Sequence, residues 1–129
     1  MQVRAVANDA RGFTLTAPVL ANHNHLHTAF GGSINAVATL AAYGLLWLEL
    51  GEDSPAHLVV VESSMRFLRP VKETIRATCL RPEKKELRKF IDAIAAREKA
   101  RLRLHCVVEE SALAAEFSGT FAALRSGER

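Results

Sequence analysis

Three hydrophobic patterns follow one another along the chain, and each predicts a different kind of element. Over residues 33–50 nearly every side chain is apolar: Ile34, Val37, Ala38, Ala41, Leu45 and Leu48 recur at helical spacing, while Leu40, Tyr43 and Trp47 make a second apolar face. A helix apolar on nearly all sides is expected to be buried on nearly all sides, and Ala36, Ala38, Ala41 and Ala42 permit close approach of a surrounding sheet. The stretch approaches the length of a membrane span, but Gly31, Gly32, Ser33 and Asn35 crowd its entrance, and Ser33 suits an N-cap better than a lipid-facing position. The second pattern is alternation. Ala100, Leu102, Leu104, Cys106 and Val108 point one way and Arg101, Arg103, His105 and Glu109 the other, as in a strand with one buried face. Residues 13–17, ending at Pro18, valine-rich residues 57–69, ending at Pro70, and residues 71–81 and 113–124 also read as strands. The third pattern is amphipathic: Leu87, Phe90, Ile91 and Ile94 mark one face of a short helix within residues 83–99.

One long helix followed by four or five antiparallel strands predicts an α+β fold, a curved sheet wrapped around a central helix, as a single domain over residues 1–129. No internal repeat or low-complexity linker interrupts it, and only residues 126–129 read as frayed. The 49% hydrophobic content suffices for one core. A formal charge of +3, from 17 basic and 14 acidic residues, is too small and dispersed to indicate nucleic acid. Cys79 and Cys106 fall on predicted strands as buried thiols rather than a disulfide, and Arg4, Asp9 and Arg11 interrupt any secretory signal. These features predict a reduced, cytoplasmic protein with no membrane partner.

The segment Asn24-His25-Leu26-His27-Thr28-Ala29-Phe30-Gly31-Gly32-Ser33 delivers the chain into the long helix. Unpaired N–H groups in that first turn suit a developing negative charge, such as a thioester carbonyl oxygen; the two glycines are equally compatible with an ordinary, tightly packed helix start. The base is less obvious, because neither Asp nor Glu occurs from residue 11 through residue 48. Glu62 is one candidate, placed by simple alternation with Leu58, Val60, Ser64, Arg66 and Leu68, though it could instead pair with Arg66 or another basic group, or face solvent. His25 or His27 is another, since imidazole titrates near pH ~6.5. The alternating His23, His25 and His27 would need ligands from elsewhere to hold a metal, and none is expected. Arg81, Lys84, Lys85, Arg88 and Lys89 either meet the phosphates of a nucleotide or, interrupted by Glu83, Glu86 and Asp92, form a solvated helix face.

Several motifs resemble the hotdog fold, and within it a thioesterase-like family found both alone and as the C-terminal half of acetyltransferase-like bacterial proteins. They are Asn24, then Thr28 through Ser33, Ala38-Thr39-Leu40-Ala41, Gly44-Leu45, Met65-Arg66-Phe67-Leu68-Arg69-Pro70-Val71, and Phe117-Ser118-Gly119-Thr120-Phe121. In the phenylacetyl-thioesterase-like branch an asparagine precedes a glycine and then a His-Gly-Gly element; Asn24 and Gly31-Gly32 match, but His27 stands at the glycine and Phe30 at the histidine. That branch's helix aspartate is Thr39 here, which can position water but cannot act as a strong base. The resemblance implies hydrolysis of an acyl thioester carried by coenzyme A or an acyl carrier protein, with coenzyme A as part of the substrate or product and no resident cofactor. It also implies a homodimer or dimer of dimers, with the apolar strand over residues 58–68 in the assembly. Gly32 and Ser33 would polarise the carbonyl, Asn24 and Thr39 orient substrate or water, and His27 or Glu62 act as base. Phe30, Gly31, Leu40 and Tyr43 would contact the acyl group, of medium length, and Arg81 and Lys84 the nucleotide. The alternative is a non-catalytic acyl-thioester-binding or assembly module.

Overall fold

This computed structural model describes residues 2–21, 28–29, 31–51, 54 and 56–125. The elements run β1 (Arg4–Asn8), β2 (Gly12–Pro18), α1 (Gly31–Leu50), β3 (Ala56–Phe67), β4 (Thr74–Leu80), α2 (Lys84–Ala95), β5 (Ala100–Glu110) and β6 (Ala112–Arg125), with a 3-10 turn at Val19–Ala21. All strand pairs are antiparallel, in the order β1-β2-β4-β5-β6-β3.

The helical spacing in α1 becomes its buried stripe: Ile34, Val37, Ala38, Ala41, Ala42, Leu45 and Leu46 pack against the sheet, chiefly β2, β4 and β5. Gly44 permits this approach, because a Cβ there would lie 2.4 Å from a Phe13 ring carbon. The helix stops at Gly51, whose φ of +79° is left-handed and whose N–H donates to the Trp47 carbonyl at 3.0 Å. At the other end the helix begins at Gly31, so Ser33 lies inside the first turn rather than capping it. On β5 the alternation read from the sequence is the observed one: Leu102, Leu104, Cys106 and Val108 are buried, and Arg101, Arg103 and His105 are exposed. In α2, Phe90 and Ile94 are buried beneath a charged outer face.

The expected wrap of a curved sheet around one long helix is corrected. The fold is α+β with two separate helices and a six-stranded sheet that is neither closed nor strongly curled. Among the described residues β1 and β3 are the outermost strands, the sheet covers only one side of α1, and Leu40 and Trp47 on the other side remain 45% and 55% exposed. Composition alone would let α1 cross a membrane, yet Val37, Ala38, Ala41 and Ala42 are completely buried in the core of this domain.

One local irregularity changes what the edge strand presents. Val60 pairs with Phe121 and Glu62 with Thr120, leaving Val61 as an extra residue. Simple alternation would put Val60 and Glu62 on one face; the bulge puts them on opposite faces. Val60 therefore lies with buried Phe121 on the α1 side, whereas Glu62 lies with Thr120 and Arg103 on the outer side. Beyond the bulge, Ser63, Met65 and Phe67 face α1.

Candidate functional site

The approach to α1 is fixed by a relay of backbone hydrogen bonds. The Ala29 N–H donates to the Val71 carbonyl at 2.7 Å, and Leu68 and Arg69 donate to the Ala114 carbonyl at 2.8 and 3.0 Å. The Glu110 carboxylate holds the same segment by accepting the N–H groups of Lys72, Glu73 and Thr74 at 2.8, 2.7 and 3.0 Å. Partial desolvation opposes ionisation of Glu110, but these three donors and the Lys72 charge prevail and lower its pKa below the ordinary carboxylate value.

This relay places Phe67 against the start of the helix, where a cavity of about 340 Å³ opens between α1 and β3. Gly31, Gly32 and Asn35 form one wall and Ser63, Ser64, Met65 and Phe67 the other. A Cβ on Gly31 would stand 3.4 Å from the Phe67 ring, in van der Waals contact at the mouth of the cavity, so a larger side chain there would crowd the entrance. The first N–H groups of an α-helix have no partner within the helix and carry its positive dipole end, which suits an oxyanion at this entrance. One turn on, the Thr39 hydroxyl donates to the Asn35 carbonyl at 2.8 Å and lies 3.4 Å from the Asn35 Oδ1. Its oxygen keeps the capacity to accept a hydrogen bond from water.

A second cavity, about 520 Å³, continues along the same helix–strand cleft. Leu40, Tyr43, Gly44 and Trp47 line it from α1, and Ser54, His57 and Leu58 face them. Between the two cavities the Tyr43 side chain crosses the cleft. Its hydroxyl accepts the Val60 N–H at 3.1 Å, and its ring meets Phe121 edge-on, with centroids 5.1 Å apart.

The structure thus brings Gly31 and Gly32 to one end of a cleft and Leu40 and Tyr43 to the other, while Thr39 bonds to Asn35 one turn earlier and lines neither cavity. Ser33 stands in the first helical turn without lining the entrance cavity. Asn24, His27 and Phe30 lie outside the described residues, as do His23 and His25. Glu62 is on the outer face of the sheet, 3.4 Å from the Arg103 guanidinium. The Arg81 guanidinium is occupied elsewhere: it donates to the Asp9 carbonyl at 2.7 Å, to the Glu49 carboxylate at 2.5 Å, and to the Asn8 side chain. It joins the β1–β2 turn to the end of α1, while Lys84 opens α2 as an exposed residue. Cys79 and Cys106 are register partners on β4 and β5, both buried and unbridged. Its hydrogen bond with Cys79, together with burial, pushes the Cys106 thiol well above the usual value, which keeps it protonated.

Sequence reasoning overlooked Asn35, Ser63, Met65 and Phe67 as walls of the entrance. A signal for the first was present: Gly31, Asn35, Thr39 and Tyr43 interrupt the apolar helix at intervals of four, which aligns them towards one neighbour. The β3 residues carried no such mark, because the bulge decides which of them face α1.

Comparison with known proteins gives this cleft its context. Residues 1–125 match the family model described as "Putative thioesterase (yiiD_Cterm)". The chain belongs to this hotdog-fold, thioesterase-like family. A protein of unknown function from Chlorobaculum tepidum is 32% identical, with a TM-score of 0.90 over 97% of this chain and 83% of that one. A "putative thioesterase" from Shewanella oneidensis shares the fold at 24% identity and TM-score 0.81, over 96% of this chain and 85% of its own. A Bacillus halodurans protein, solved with CoA, does so at 18% identity and TM-score 0.69, covering 96% of this chain and 75% of its own.

Proposed function

We propose that this family member hydrolyses an acyl thioester of coenzyme A or an acyl carrier protein at the entrance to α1. The observation that carries the reading is the cavity joining the glycine-rich first turn of the helix to Asn35 and the Ser63–Phe67 side of β3. Family membership supports the reaction class, and the CoA in the Bacillus halodurans relative supports the carrier. Water adds to the thioester carbonyl carbon, and the oxyanion of the tetrahedral adduct is stabilised by N–H groups at Gly32 and Ser33. Collapse breaks the C–S bond; the carboxylate leaves as one product and the thiolate, taking up a proton, as the other. Asn24 and Thr39 orient substrate and water. The base is His27, whose imidazole can accept the water proton near neutral pH, because the Arg103 contact and the outer-face position argue against Glu62. Arg81, engaged by Asn8, Asp9 and Glu49, is assigned to holding the fold rather than the nucleotide.

The assembly belongs to the same reading. β3 is an edge strand, twelve residues long, that among the described residues pairs only with β6, and Val60, Val61, Phe67 and Leu68 on or beside it are exposed. A free, apolar edge of this length is a template for pairing, and its partner in this reading is a second copy of the chain. The decisive assay presents purified protein with acyl-CoA and acyl-carrier-protein conjugates and measures thiol release. Release of free thiol in proportion to enzyme supports hydrolysis. Tight acyl-thioester binding without release from about pH 6 to about pH 9 would establish the binding or assembly module instead, since that range spans the titration of a histidine base.

A further inference from the structure

Tyr43 lines the distal cavity and reaches across to Val60, a strand position between the walls of the two cavities. Both cavities lie between α1 and β3; the first is walled by Gly31, Gly32 and Asn35 across from Ser63, Met65 and Phe67, the second by Leu40, Tyr43 and Trp47 across from Ser54, His57 and Leu58. Only the middle of the cleft separates them, and there the Tyr43 hydroxyl is tied to the Val60 N–H while its ring is braced by Phe121. Helical side chains lean towards the N-terminus, so the Tyr43 ring covers the turn around Thr39 rather than its own Cα level. We propose that Tyr43 is a specificity-determining partition that stops the acyl chain short of the distal cavity. The proposal rests on the acyl-thioester reading of the helix entrance.

The length of the stop follows from geometry. Thr39 lies seven residues beyond Gly32, or about 10 Å at the ~1.5 Å rise of an α-helix. Tetrahedral carbon chains advance about 1.25 Å per carbon, so a carbonyl held at Gly32 leaves room for roughly eight carbons. Longer chains meet the ring. Once the ring is removed, about 520 Å³ of largely apolar space becomes continuous with the entrance, and each added methylene has a surface to cover, worth about fourfold in affinity.

The test compares butyryl- through palmitoyl-CoA in wild type, Tyr43→Phe, Tyr43→Ala and the double variant Tyr43→Ala/Leu40→Trp. Non-hydrolysable acyl-CoA thioethers of the same lengths are titrated in parallel by calorimetry. Wild type should improve with chain length to about octanoyl and then decline. Tyr43→Phe, which keeps the ring, should retain that optimum. Tyr43→Ala should move it to myristoyl or beyond, with the palmitoyl-to-octanoyl ratio of kcat/KM and of affinity rising at least tenfold. Refilling the distal cavity with Leu40→Trp should return the optimum towards octanoyl. An unchanged length profile in a folded Tyr43→Ala protein overturns the proposal while leaving hydrolysis intact. Failure of wild type to bind thioethers of any length overturns the acyl-thioester reading itself, and the partition with it. If Tyr43→Ala does not fold, Tyr43→Leu is read the same way: a longer optimum supports the partition and an unchanged one refutes it.

Discussion

Thr39 illustrates how one hydroxyl can serve both structure and chemistry. It gives its proton to the carbonyl of Asn35, a residue that lines the entrance cavity, as helix-interior threonines commonly do, and its oxygen keeps the capacity to accept a hydrogen bond. Thr39→Val should leave the melting temperature close to that of wild type and reduce kcat for thioester hydrolysis roughly tenfold, or about 1.4 kcal/mol, the scale of one modest transition-state hydrogen bond. An unchanged kcat would confine Thr39 to packing. Glu110 acts through the backbone instead. Its folded pKa is depressed, so its stabilising contribution is complete above the unfolded value near ~4.3 and is lost as pH falls through the lower, folded value. Glu110→Gln should therefore lower stability by about 1–2 kcal/mol at neutral pH, a reduced figure for hydrogen bonds to a charged acceptor because solvent reaches the loop. In chemical denaturation the deficit should narrow in acid; a deficit independent of pH would show that the carboxylate charge is irrelevant.

At the level of elements, burial separates what periodicity can reveal from what it cannot. α1, α2 and β5 are legible because Val37, Phe90 and Leu104 each belong to a repeating stripe that matches one face of one element. β1 was missed because it is a short edge strand whose residues are mostly exposed, and exposed strands carry little apolar alternation. Glu62 shares its outer face with Ser64 and Arg66 and meets a basic group, as simple alternation and pairing allow, but its grouping with Leu58 and Val60 fails because the bulge at Val61 depends on the partner strand β6, which no local window contains. The entrance cavity was half legible: Gly31 and Gly32 announced it, but Ser63, Met65 and Phe67 enter it only through the packing of β3 beside α1. The buried stripe makes its own prediction. Val37 is completely buried, and Val37→Asp would leave a charge without a partner in the core, which should cost more than about 3 kcal/mol and abolish cooperative thermal unfolding. A near-wild-type melting curve would contradict the packing of α1 against the sheet.

For the whole molecule, the proposed assembly rests on the open edge of β3. Val60, Val61 and Phe67 on this strand are exposed in the single chain. Wild type should sediment as at least a dimer at micromolar concentration, and a double Val60→Lys/Val61→Lys variant should shift it towards monomer, because lysine on an edge strand opposes pairing. A compact wild-type monomer would contradict the proposed assembly. The central claim, that the acyl carbonyl is processed at the glycine-rich helix entrance, is tested most directly by blocking that entrance. Gly31→Val directs methyl groups towards the Phe67 ring, already 3.4 Å from the position of a Cβ. The measurement is steady-state thiol release from octanoyl-CoA by wild type and Gly31→Val, with folding of both verified by circular dichroism. The account predicts release by wild type and a loss of roughly a hundredfold or more in the variant, the scale on which preorganised electrostatic stabilisation acts; equal rates from the two folded proteins would contradict it.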